Sequence, residues 1–329
     1  MLYRPAMKGS LPRLACAFAI AASCAVSAAP PAPAPPPDQD TSVVVEELLV
    51  VARYPGPALW TVKKGDAQVT VLGSLSPLPH MLEWKSPRLE RALDGATLVL
   101  TPPNGRVNMF DALNLIFHGG DARLSGDRTL WTEITPDERA RFDNLVSQIK
   151  GKPERYERLK PAIAGFLLLL DFRKGAGLAE AKPASTVERL AKDRHLRIQT
   201  YGRVKLPALF RAITHMDAEA ERACFDAAIG QAEHDASQAR PLATAWANGD
   251  LKTVRAGYRP TVLEKCISEL PTLQAALEQA EAEAVAAIDE VLKHGGKAVA
   301  VVDLTLLQGR NGVLDRLKAE GAEITVPRD

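Results

Sequence analysis

The residues best suited to chemistry are sparse and scattered. The six histidines stand at 80, 118, 195, 215, 234 and 294, with no two at a spacing that would place them together as metal ligands. His80 with Glu83 is the one His and carboxylate pair close to an expected strand end, and Ser76 lies just before it. There is no glycine-rich phosphate loop, no His-Glu-x-x-His, no nucleophile elbow and no Cys-x-x-Cys. Common phosphoryl, zinc-protease, α/β-hydrolase and dithiol chemistries therefore have no sequence basis.

The elements that must carry these groups are legible from periodicity and punctuation. Residues 43–51 are aliphatic and β-branched, and residues 59–62 and 68–72 alternate about the turn Lys64, Gly65, Asp66, which predicts strands, the last two a hairpin. Ser86 and Pro87 start a helix that Gly95 stops, and residues 96–100 form the next strand. Gly73 ends the second hairpin strand, where it is read as a turn. The middle of the chain is helical. Thr135, Pro136 and Glu138 make a capping box, Ser185 with Glu188 a second, and Leu167 to Leu170 are the buried face of a helix. Asp217 to Glu233 is a long helix whose Ala220, Cys224, Ala227 and Ala228 imply close packing; another runs from Thr272 to Lys293 and ends at Gly295 and Gly296. Residues 197–200 give a lone strand. Residues 297–304, 312–320 and 323–326 follow as strand, helix and strand. The fold class is α/β of an α+β-like kind: a central mixed sheet built from N- and C-terminal α/β units, with a mainly helical middle. Trp60, Trp84, Trp131 and Trp246 are expected as core anchors, with Trp84 beside the Ser76, Pro77, Leu78, Pro79 loop.

The N-terminus points to export. Arg4, Lys8 and Arg13 precede a short apolar run, residues 14–25, and Val26, Ser27, Ala28 supply small residues for cleavage, so residues 1–28 are read as a signal peptide. A lipoprotein reading through Cys24 is weaker, because the usual leucine three residues earlier is missing. Residues 29–42 form a proline-rich spacer, with six prolines in residues 30–37 that span roughly 25 Å in an extended conformation. Residues 43–329 then make one domain. Without the leader, 38 basic residues face 40 acidic ones, and no later apolar segment is long enough to span a membrane. Nucleic acid and a second span are thus not expected; the location is periplasmic or secreted. Only Cys224 and Cys266 remain, and an oxidising compartment favours their pairing across a loop of 43 residues.

The stretch 57–100, with PALWTV, VLGSLSPLP, Glu83-Trp84, Ser86-Pro87 and LVL, resembles the opening of the TraB/GumN family. The tail KHGGKAVAVVDLTLLQGRNGVLDRLKAEGAEI is similar to that family's last unit. The resemblance implies an active centre of two Gly-x-x-His motifs and a Glu, holding a divalent metal in relatives proposed to be metal-dependent proteases. Here the first motif reads Gly73, Ser74, Leu75, Ser76, and the Glu position is Thr101. At the other end the glycine position is Asp303 and the histidine position Leu306, while an Arg-Asn pair of the preceding helix falls on Ala280 and Glu281. Neutral hydroxyls and a leucine are poor substitutes for imidazole and carboxylate, so no metal and no cofactor are expected unless the family site persists. The leading expectation is a non-catalytic module that binds an envelope protein or peptide in the old cleft. A peptidase-like hydrolase rebuilt on Ser76, His80, Glu83 and Asp303 is the alternative. A structural partner pairing through the stripe Leu273, Ala276, Leu277, Ala280 is the third reading.

Overall fold

The computed structural model describes residues 56–103, 120–179, 182–202, 206–258, 266 and 271–327. The strand expected at 43–51 lies outside them. Alternation in β1 (Leu59–Lys64) puts Trp60 and Val62 into the core and Lys63 into solvent, and the turn at Gly65, with φ +57°, returns the chain into β2 (Ala67–Ser74). β2 is buried along most of its length, as a strand covered on both faces must be. It pairs antiparallel with β1 and parallel with β7 (Lys297–Asp303), Gln68 against Lys297 and Ser74 against Asp303. β4 (Leu98–Thr101) lies parallel to β7, and β6 (Arg197–Thr200) parallel to β4. With β8 (Glu323–Thr325) antiparallel on β1, the mixed sheet runs β6-β4-β7-β2-β1-β8. A separate short pair joins β3 (Leu78–Pro79) to β5 (Leu178–Ala179).

Helices cover this sheet for reasons written in their ends. In α1 (Pro87–Asp94) the Ser86 hydroxyl accepts the Leu89 amide at 3.3 Å, Pro87 presets the first turn, and Leu89 and Leu93 face the core. α5 (Lys182–Asp193) leads into β6, and α9 (Pro271–His294) leads into β7 with Ala284, Val285, Ile288 and Leu292 buried. Each parallel strand therefore ends at the same edge of the sheet.

A second core fills the helical middle. α3 (Pro136–Gln148) opens on the Thr135 and Glu138 box, and α4 (Pro161–Gly175) packs on α7 (Ala218–Ala247). Contact is close because Gly165 faces Ala228: a Cβ on Gly165 would lie 2.9 Å from the Ala228 Cβ. Phe142 sits edge-on to Tyr156 at 5.1 Å and stacks on Phe225 at 5.8 Å. α7, 30 residues and about 45 Å long, begins in this core and ends with Leu242, Ala243 and Trp246 in the sheet core, so one rod ties the two together.

Several boundaries differ from expectation. Ser185 lies inside α5 and not ahead of it, because Pro183 in the first turn already sets the start. α7 continues 14 residues past Glu233 and carries Pro241 internally; burial of Leu242, Ala243 and Trp246 outweighs the hydrogen bond that proline removes. β7 stops at Asp303, whose side chain caps a further helix, α10 (Leu304–Gln308), before α11 (Val313–Ala319). In the stripe on α9, Ala276 is exposed and Leu277 and Ala280 are half-buried; the side chain of Leu273 lies outside the described residues. Among the described residues no helix is long and apolar enough to cross a membrane.

Candidate functional site

The carboxyl ends of β2, β4, β6 and β7 bring Ser74, Thr101, Thr200 and Asp303 to one edge of the sheet. Crevices at such edges are where α/β sheets take ligands. Gly73 sits within β2, one residue from its end, and is no turn. A Cβ there would lie 2.5 Å from Leu304 Cδ2 and 2.7 Å from Trp60 Cζ3, so the glycine is required by side chains that close over the strand. Its carbonyl accepts the Trp246 indole N–H at 2.8 Å, and Trp84 meets Trp246 edge-on at 5.1 Å. Trp60 and Trp246 are core anchors as expected, and Trp84, partly buried, joins them.

Asp303 is committed locally. Its Oδ1 accepts the Thr305 amide at 2.8 Å, the Thr305 hydroxyl, and the Tyr258 hydroxyl at 3.4 Å. Burial pushes the Asp303 carboxyl above the usual carboxylate range, against the pull of those bonds. Tyr201, buried near it, gives its hydroxyl to the Val301 carbonyl at 2.7 Å, and burial with the nearby Asp303 charge raises its pKa.

Two hollows flank Tyr258. The smaller, about 20 Å³ and room for about one water, is lined by Ser76, Pro77, Arg173, Gln231, His234, Asp235 and Tyr258. Arg173 donates to Asp235 at 2.7 Å, with side chains 14% and 3% exposed, and the Gln231 amide donates to the other Asp235 oxygen at 2.8 Å. Ser76 and His234 thus share a wall with an aspartate whose two oxygens serve Arg173 and Gln231, and among the described residues no carboxylate is bonded to the His234 imidazole to orient it as a nucleophile's base requires. The larger hollow, about 190 Å³, lies on the other side, between α8 (Leu251–Gly257) and α10.

Of the residues singled out in the sequence, Ser76 lines the smaller hollow with Tyr258, whose hydroxyl donates to Asp303. His80 and Glu83 are exposed beyond β3 and line neither hollow. Thr101 is 0% exposed, and its hydroxyl has no partner among the described residues. Leu306 is half-buried and packs against the sheet core. Glu281 accepts from Arg316 at 2.8 Å. Cys224 and Cys266 are both buried and meet as thiols; the Cys224 thiol beside it, with burial, pushes Cys266 far above the usual thiol value. Arg173, Asp235 and Tyr258 carried no signal in the sequence.

Residues 58–326, hairpin to final strand, match the TraB/PrgY/gumN family. The chain belongs to that family. No curated protein and no solved structure matches it. The divalent metal implied by resemblance to TraB/GumN proteins does not fit the residues present. Ser76 and Thr101 offer neutral oxygens, that of Thr101 sealed from solvent; Leu306 offers none, and Asp303 Oδ1 already accepts three bonds. Among the described residues no three His, Cys, Asp or Glu side chains converge as ligands.

Proposed function

We propose that this TraB/GumN-type chain is an exported, non-catalytic protein that binds an envelope protein or peptide at the carboxyl edge of its sheet. The observation that carries the reading is the donor set there: a sealed threonine, a serine, a leucine and an aspartate already engaged as a helix cap. A hydrolytic metal needs imidazole or free carboxylate to be held and to have its water acidified. Calorimetric titration of manganese and zinc into chain purified without chelators, with elemental analysis, is expected to give no stoichiometric binding. One tightly bound metal per chain would overturn the reading and reinstate a hydrolase.

Export is supported by the basic and apolar leader, the proline spacer, and the meeting of Cys224 with Cys266. In an oxidising compartment the two are expected to join, so that protein recovered from the periplasm weighs two hydrogens less than the reduced chain. Closing 43 residues stabilises by roughly 3–4 kcal/mol in the chain-entropy account, an amount that dithiothreitol should remove in urea unfolding. Two alkylatable thiols in the unreduced, unfolded protein would refute the pairing.

A further inference from the structure

We propose that the larger hollow beside Asp303 binds a peptide's C-terminal carboxylate together with a branched aliphatic last side chain. This assignment rests on the binding reading above and names the chemistry of its occupant. The floor is apolar: Leu251, Val254 and Leu304 are buried beneath it, and the Tyr258 ring forms a wall. Its rim is polar and carries one sign of charge. The Arg255 Nε donates to Gln308 Oε1 at 3.1 Å, a neutral partner, and no carboxylate of the described residues pairs with this exposed guanidinium. The bond orients the guanidinium while leaving its two terminal nitrogens, and the Gln308 amide N–H, for a planar two-oxygen acceptor.

Size and access agree with one residue's end. About 190 Å³, against about 20 Å³ for the one-water hollow on the other side of Tyr258, leaves room for a branched side chain with its carboxylate. A Cβ at Gly309 would lie 2.6 Å from the Thr305 carbonyl oxygen, so the tight turn that ends α10 beside the hollow requires glycine. The hollow opens at the sheet edge where β7 gives way to α10, and its lining residues Leu304 and Thr305 lie between Asp303 and Leu306.

The test titrates acetyl-Ala-Ala-Leu with a free carboxyl, its C-terminal amide, and free leucine into the full mature chain, read by calorimetry. The free acid is expected to bind at least tenfold more tightly than the amide, and Arg255→Gln to remove that preference. Arg255→Lys, which keeps the charge but loses the fork, should restore part of it. Arg222→Gln, at an exposed site on α7, should leave binding unchanged. Equal binding of acid and amide, or an unaltered preference in Arg255→Gln, overturns the proposal. Leucine binding as tightly as the peptide overturns the peptide assignment in favour of a free small carboxylate. Failure here with no metal bound removes this inference alone; stoichiometric metal removes the non-catalytic reading.

Discussion

Exchange of Arg173 for methionine is expected to destabilise the chain by about 3–5 kcal/mol, the range for removing one partner of a buried ion pair. Asp235 is 3% exposed at its side chain and would keep only the Gln231 amide, so its charge would remain in a low-dielectric site without a cation. The cost is one of desolvation more than of lost attraction. Arg173→Met with Asp235→Leu should therefore recover most of the loss, since two apolar groups of similar volume leave no buried charge unpaired and the half-buried Gln231 amide, which loses its acceptor, can turn to water. Urea unfolding of the four members of this cycle measures the coupling. A single-mutant loss below about 1 kcal/mol would mean that water reaches the pair and that the joint between α4 and α7 does not depend on it.

Trp246→Ala is the second large effect, at about 3–5 kcal/mol for truncating a buried aromatic side chain. The indole fills the space between the end of α7 and the sheet, holds Trp84 edge-on, and donates to the Gly73 carbonyl. Trp246→Phe separates these parts: it keeps an aromatic body and deletes the N–H, so the loss should fall to about 1–3 kcal/mol, the cost of a buried carbonyl without its donor. Equal damage from both substitutions would show that the hydrogen bond, and not ring packing, secures the strand end. Chemical unfolding gives the energies, and near-ultraviolet circular dichroism reports whether Trp84 keeps its fixed environment.

The sequence announces those elements whose ends carry their own chemistry. Ser86, Pro87 and Gly95 bound α1, Thr135 with Glu138 opens α3, and the Gly65 turn makes the first hairpin, because each signal acts within four residues. The boundary after Asp303 is hidden, since the end of β7 and the first turn of α10 are both apolar and a short apolar run has no readable period. Ser185 misleads because a capping pair three apart also occurs inside a helix already started by Pro183. At the site, Ser76 and Thr101 are legible along the sheet edge, as each follows an expected strand, whereas Gly73 falls inside β2 and Asp303 at the unread end of β7. What surrounds them is not legible. Arg173 finds Asp235 from 62 positions away, and Tyr258 finds Asp303 from 45, through helix packing that leaves no local trace.

The pairing of β2 with β7 has a kinetic corollary. Gln68 lies against Lys297, and β1 against β8, so the centre of the sheet joins segments from opposite ends of the domain. A chain of this contact order folds slowly, because loop-closure entropy is spent before the long-range strands reward it. The helical core of α3, α4 and α7, whose contacts lie much nearer in sequence, has the shorter search. A growing polypeptide thus carries an unfinished sheet, with an open edge on β2, until its last segment emerges, and in that interval a holdase has an exposed strand to grip.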